Sequence, residues 1–330
     1  MASVSISTVS HVINGTRFVS EATRSKVKKA MKTLDYEPNV AALTLRTQKT
    51  KTIGLLIPIL EDETSNIFFM QVALGVESEM KKNGYFTFLS NTNECVENEI
   101  EEIKNFNYRS VDGLIVAPPM GDHGFMKELV RNYHVVYVDR RPNGLDGNVC
   151  CVMTDSQTAC FEAVSGQIAL GHKKIGIICG TTDTTANVKD RLEGYKRALM
   201  AFGLPVDDSL IVQGAAKIQN GYILTKQLLE NNDVTSLLIT NNCHAMGAMQ
   251  YVRESKIRIP AKLNITVFDD YEWTRVYNPS ITVIRQHAYD LGKIAAQELI
   301  KRMNNKDAAD ECHMIPAQLV VRDSWSENKY

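Results

Sequence analysis

The sequence predicts an α/β fold: two doubly wound parallel sheets preceded by a small helical head. Three observations carry that reading. Beyond Thr52, short apolar runs alternate with amphipathic helical stretches, from I-G-L-L-I-P-I-L (53–60) through Y-F-T-F-L-S, G-L-I-V-A and H-V-V-Y-V-D. Runs of this length without a polar alternate suit strands buried on both faces, and helices between them make the pairing parallel. The pattern then restarts after Asp155 with a long helix and a second set of strands, K-K-I-G-I-I-C-G, S-L-I-V-Q-G, S-L-L-I-T-N and I-T-V-F-D-D, so two sheets are expected. Finally, the segment before Thr52 carries helical periodicity.

Within that head, Ser5 is placed to cap a helix whose Val9, Val12 and Ile13 fall at i, i+3 and i+4 on one buried face. Ser7 and His11, four residues apart, then face outward with Ile6 beside them. Asn14-Gly15 ends this helix. Ser20 opens the next, with Val27, Ala30, Met31 and Leu34 as its apolar stripe and Arg24, Lys26, Lys28, Lys29 and Lys32 as its positive charge. Val40–Arg46 is too short to hold a helix alone in water, so it folds only against a partner. Gln48 to Thr52 is a polar link to the first buried strand.

At 330 residues the chain is long enough for two or three domains. Its net charge of −1 conceals an asymmetry, because residues 1–51 hold nine Lys and Arg against three acids. A polyanionic partner is therefore expected at that end alone. Seven cysteines, odd in number and without a C-x-x-C, indicate neither a disulfide framework nor a zinc site, and no metal or cofactor is expected. No apolar stretch reaches membrane-spanning length and no signal segment opens the chain, which points to a cytoplasmic protein that does not enter a membrane.

The run V-S-I-S-T-V-S-H-V-I-N-G-T-R-F-V-S-E-A-T-R-S-K-V, followed by Y-E-P-N-V-A-A-L-T-L-R, resembles the bacterial lactose/galactose-repressor (LacI/GalR) family of transcription regulators, its purine- and ribose-repressor branch above all. V-D-G-L-I-V, G-H-K-K-I-G, R-L-E-G-Y and L-V-V-R-D-S continue the likeness along nearly the whole chain. It implies a helix-turn-helix headpiece over 1–46 with a hinge helix over 40–46, and a two-lobed periplasmic-binding-protein-like unit. One lobe would take 52–153 and 285–313, the other 154–284 and 314–330. By the same resemblance Ile6, Ser7 and His11 read bases in the major groove, while Ser5, Thr8 and Ser10 lie near phosphates. Leu45 would be the apolar wedge in the minor groove, with Arg46 close to phosphate. The family pattern begins with a further helix before Val4. The expectation is that Val9, Val12 and Ile13 lose part of their cover, at about 1.5–3 kcal/mol each, and that this chain binds operator poorly unless its start lies upstream.

Ligands of wound sheets bind at the carboxyl ends of the strands. The polar residues there are Asn66 with Phe68 and Phe69, then Asp139 with Arg140, Arg191, Asn241, Asp269 and Gln286. Carboxylates, amides and guanidiniums beside an aromatic wall suit a polyhydroxylated ring, each hydroxyl of which donates to a carboxylate or accepts from an arginine. The set is similar to the ribose-binding version of the fold, with Asp139, Arg140, Arg191, Asn241, Asp269 and Gln286 as the hydrogen-bonding shell and Phe69 stacked on the ring. Where the family often places a covering aromatic, this chain has Ala216 beside Lys217, which leaves a larger, phosphorylated or acidic effector open. Asp139 and Asp269 also invite comparison with a glycosidase pair. With no G-x-S-x-G, P-loop, dinucleotide fingerprint or H-E-x-x-H in the chain, no catalytic residue is assigned. The expected molecule is a homodimeric, operator-binding regulator controlled by a sugar or sugar-like effector. Its rival is a sugar-binding protein of the same fold without effective DNA binding.

Overall fold

The computed structural model describes residues 1–14, 17–36, 49–60, 66–130, 133–145, 147–181, 186–305 and 309–328. The chain divides into two compact units, Met1–Thr50 and Lys51–Tyr330.

In the first unit, α1 (Ile6–Asn14) and α2 (Glu21–Thr33) each begin at a serine. Ser5 Oγ accepts the Thr8 amide at 3.1 Å and Ser20 Oγ accepts that of Thr23 at 3.4 Å, meeting backbone donors the first turn leaves unpaired. Val12 and Val27 are buried, whereas Val9 and Ile13 are half-buried. The apolar stripe of α2 stops short of expectation: Leu34 is the residue that ends the helix, and it is exposed. The hinge segment expected over 40–46, with Leu45 and Arg46, lies outside the described residues.

The second unit contains two six-stranded sheets. The first is built from β1 (Thr52–Ile57), β2 (Phe86–Asn91), β3 (Gly113–Val116), β4 (His134–Val138), β5 (Cys151–Thr154) and β11 (Cys312–Ile315). The second takes β6 (Ile175–Cys179), β7 (Ile211–Gln213), β8 (Ser236–Ile239), β9 (Asn264–Phe268), β10 (Thr282–Arg285) and β12 (Gln318–Val320). Their orders, β11-β5-β4-β3-β1-β2 and β12-β10-β9-β8-β6-β7, are the same winding repeated, each with one strand supplied late in the chain. The first sheet is parallel throughout; in the second, β12 runs antiparallel to β10. Only Pro316 and Ala317 separate β11 from β12, so the chain enters the second sheet at its edge without a helical crossover to reverse it.

The helices are α3 (Asn66–Lys82), α4 (Val96–Arg109), α5 (Met126–Leu129), α6 (Ser156–Ala169), α7 (Ala186–Ala201), α8 (Ile218–Asn231), α9 (Asn242–Glu254), α10 (Glu272–Val276) and α11 (Ala288–Asn304). Strand β1, buried on both faces, sits between a core containing Phe69, Val72, Leu291 and Leu299 and another containing Ile103, Phe106 and Leu114. No helix among the described residues is long and apolar enough to cross a membrane.

One cysteine pairing corrects the sequence reading. Cys151 and Cys312, 161 residues apart, face each other across β5 and β11 with Cα atoms 4.6 Å apart, and form a disulfide. Spacing along the chain carried no trace of it, because the pair exists only after the late strand has returned to the first sheet.

Helices α3 and α11 meet backbone to backbone. A methyl group on Gly75 would strike the Tyr289 carbonyl, and one on Gly292 would strike that of Val72. Since main chain has nowhere to retreat, Gly75→Val or Gly292→Val should lower stability by about 1–3 kcal/mol or more. Urea titration should show the midpoint falling with the slope unchanged, and a wild-type midpoint would refute the contact.

Candidate functional site

The crevice between the two sheets is framed by a matched pair of aspartates. Asp139 follows β4 and Asp269 follows β9, the equivalent strand of the other lobe. Both occupy the left-handed backbone region, with φ of 67° and 77°. Each amide donates to the next strand at 2.9 Å, Asp139 to Val152 and Asp269 to Ile284. A non-glycine residue in this region costs free energy, and proteins keep such residues mainly where a side chain must be aimed.

Arg191, on α7, supplies the countercharge. It is 8 % exposed; its guanidinium lies 3.7 Å from the centroid of the Phe268 ring, and Nη1 donates to the Thr240 carbonyl at 2.6 Å. Burial pushes the Asp139 carboxyl up, against the pull of Arg140 and Arg191. Burial likewise raises Asp269, against Arg191 and the Gln286 amide, which donates to it at 2.6 Å. Arg140 pairs with Glu94 and with Asp139, the latter at 3.3 Å, and lies 5.7 Å from the Phe69 ring. Phe68 and Phe69 meet edge to face, with centroids 5.2 Å apart.

Two residues of the expected shell are committed elsewhere. Asn66 uses both ends of its amide on the Leu60 backbone, accepting at 3.1 Å and donating at 2.7 Å. Asn241 caps α9, its Oδ1 accepting from Cys243 at 2.8 Å and His244 at 3.3 Å, which leaves only its NH2 for a ligand. Two further residues stand beside the expected ones. Glu94, in the turn after β2, anchors Arg140 and accepts the Met120 amide at 3.2 Å. Tyr271 follows the second aspartate; its hydroxyl is buried without a hydrogen-bond partner, and burial with Asp269 nearby raises its pKa strongly. Arg191 Nε and Gln286 Oε1 are also buried without partners. The D-D-Y run after a buried strand was the one available signal for Tyr271; Glu94 lies in a polar turn that offered none.

A cavity of about 530 Å³ adjoins this shell, lined by Phe68, Asp269 and Gln286 together with Gln71, Glu272, Arg275 and Tyr289. Asp139, Arg140, Arg191 and Asn241 do not line it. Its size falls within the range of small-molecule sites. On its wall, Asp270 accepts from Arg275 at 2.9 Å, Arg285 at 2.6 Å and Arg322 at 2.6 Å, tying α10 to the end of β10 and to the segment after β12.

On the first unit, α1 presents Ile6 at 90 % exposure, with Ser5, Ser7 and Thr8 joined through hydroxyl contacts of 2.7 and 2.8 Å. Ser10 and His11 are half-buried.

A paired-helix head followed by a two-lobed receptor with a polar crevice defines a ligand-responsive regulator. A profile for bacterial regulatory proteins of the lacI family matches residues 1–39, and one for a periplasmic binding protein-like domain matches residues 167–325. Catabolite control protein A of Priestia megaterium is 32 % identical over 332 residues, 98 % of this chain and 96 % of its own. Among solved structures, a lac repressor dimer bound to operator and the anti-inducer ONPF is similar with a TM-score of 0.83 and 26 % identity, over 98 % of this chain and 96 % of that one. A complex of the regulator CelR with cellobiose has a TM-score of 0.75 and 26 % identity, over 98 % and 97 % of the two chains. The chain belongs to the LacI family of bacterial regulatory proteins. It is a transcriptional regulator of that family.

Burial alone would raise the Asp270 carboxyl, but hydrogen bonds from Arg275, Arg322 and Arg285 hold it far below the usual range. Its folded pKa lies under the unfolded value of 3.8, so its contribution is complete above about pH 5 and is lost as pH falls through 4 and below. Asp270→Asn should cost about 3–5 kcal/mol at neutral pH, since it leaves arginines uncompensated. Denaturation followed from pH 7 to 3 should then show a weaker acid dependence than wild type; parallel curves would count against the clamp.

Proposed function

We propose that the interlobe crevice binds a neutral sugar, with Asp139, Asp269 and Arg191 as its main hydrogen-bonding groups. Arg140, Gln286 and the free NH2 of Asn241 complete the shell, Phe69 walls it, and Tyr271 supplies a donor. The observation that carries this reading is the matched pair of left-handed aspartates, Asp139 buried and Asp269 half-buried, beside one buried arginine. Paired carboxylates want hydroxyl donors, which a polyol supplies in quantity. Their excess negative charge, with Glu94 alongside, disfavours a phosphorylated or acidic effector. The cavity sharing Asp269 and Gln286 leaves room for a second ring, and the similar CelR structure holds cellobiose.

The head is assigned to operator DNA in the cytoplasm. Ile6, Ser7 and His11 face bases, Ser5, Thr8 and Ser10 face phosphates, and Leu45 with Arg46 enters the minor groove from the segment outside the described residues. Pairing two copies supplies two heads to one operator, as in the lac repressor dimer. The effector acts by stabilising one lobe arrangement, and whatever it does to DNA affinity, DNA must do in return to effector affinity.

Asp269→Asn tests the sugar site cleanly, because asparagine also tolerates the left-handed region. Thermal-shift titration with neutral pentoses, hexoses and disaccharides should give a ligand whose affinity drops about tenfold to a hundredfold in the variant, with the unliganded melting temperature retained. Preference for sugar phosphates, or a variant with wild-type affinity, would exclude this account. Fluorescence anisotropy on labelled operator, with and without that sugar, should show a change in affinity equal to the change DNA makes in sugar binding. No specific operator binding would favour the rival reading of a sugar receptor alone.

A further inference from the structure

Away from the crevice, three residues with metal-ligating side chains converge on one face of the first sheet. Cys150, immediately before β5, packs with Val152, Ala295 and Leu299 on the side covered by α11. Its neighbour Cys151 faces the opposite core, with Ile103 and Phe106. His313 pairs in register with Val152 and so shares the Cys150 side of the sheet. Glu298 reaches the same place from α11. One ligand atom from each lies within 4.8 Å of the other two.

We propose that Cys150, Glu298 and His313 form a binding site for a transition-metal ion of the zinc class. Sulfur, imidazole nitrogen and carboxylate oxygen together select borderline ions such as Zn2+ over Mg2+ or Ca2+. Tetrahedral zinc places its ligand atoms about 3.3–3.7 Å apart. His313 Nε2 and Glu298 Oε1 stand 3.6 Å apart, so one edge of the tetrahedron is in place and the sulfur has about one ångström to close. His313 Nε2 is buried without a hydrogen-bond partner. Thiolate and carboxylate together neutralise a dication.

Two cations compete for the ligands. Lys301 Nζ lies 3.2 Å from Glu298, but its side chain is 52 % exposed and turns to solvent at little cost. Arg302 contacts the Cys150 sulfur, yet it is also held by Asp310 at 2.8 Å and by the Ala309 carbonyl, partners that keep it when the sulfur is taken. The three ligands come from the entry to β5, from the returning helix and from the late strand. A bound ion would therefore fasten residues 288–315 to the sheet they complete.

Cobalt(II) is the probe. Titrated into the reduced full-length protein, it should give a thiolate-to-cobalt charge-transfer band saturating at one equivalent. The band should vanish in Cys150→Ser and persist in Cys151→Ser, and Glu298→Gln, a partly exposed position, should weaken cobalt about tenfold or more. Zinc should raise the melting temperature of the wild type by more than that of Glu298→Gln at the same concentration. No band, or a band that survives Cys150→Ser, overturns the proposal. Should Cys150→Ser not fold, unchanged cobalt affinity in Glu298→Gln overturns it instead. Sugar and operator binding are read separately, so failure here leaves the crevice assignment standing.

Discussion

Arg191 is the constraint around which the receptor unit is arranged. A guanidinium removed from water is tolerable only where fixed dipoles and opposite charges replace its hydration. Here a strand-end carbonyl, an aromatic face and carboxylates from both lobes supply that replacement. The lobes therefore share one electrostatic problem. One aspartate is enough to balance the arginine, so the second carboxylate leaves the group with negative charge in excess of Arg191. Strained backbone at both aspartates is consistent with carboxylates held in place before a ligand arrives.

Asp270, the neighbour of a crevice residue, ties the crevice loop to the rest of its lobe. Asp269 accepts from Gln286, while Asp270 gathers arginines from α10, from the end of β10 and from the segment after β12. The two adjacent carboxyls are driven in opposite directions, Asp269 up by burial and Asp270 down by its arginines. One is surrounded by three guanidiniums and the other faces a single arginine across the crevice.

Much of the fold was legible because buried strands must be apolar and helix starts must meet their own amides. I-G-L-L-I-P-I-L and I-T-V-F-D-D declared themselves as strands, and Ser5 and Ser20 as caps. Strand ends also marked Asp139, Arg140, Asp269 and Gln286 as neighbours of a crevice. What stayed hidden depended on contacts between distant residues. Asn66 and Asn241 read as ligand groups, yet an asparagine beside a helix start has its own backbone to satisfy, and each does so. Glu94 matters only because β2 and β4 bring it to Arg140. The Cys151–Cys312 pair and the antiparallel β12 both follow from the chain's late return, which no local pattern encodes.

That late return bears on how the molecule comes into being. Each sheet lacks one strand until residues 312–320 are made, and the first also lacks α11, the helix that seals its core with Leu291 and Leu299. During synthesis the leading half therefore leaves the ribosome with an open apolar face and an unfilled edge, although it is the older part of the chain. Each lobe is thus completed by chain made after the body of the other, and a change in β11 or α11 injures the half that was translated first.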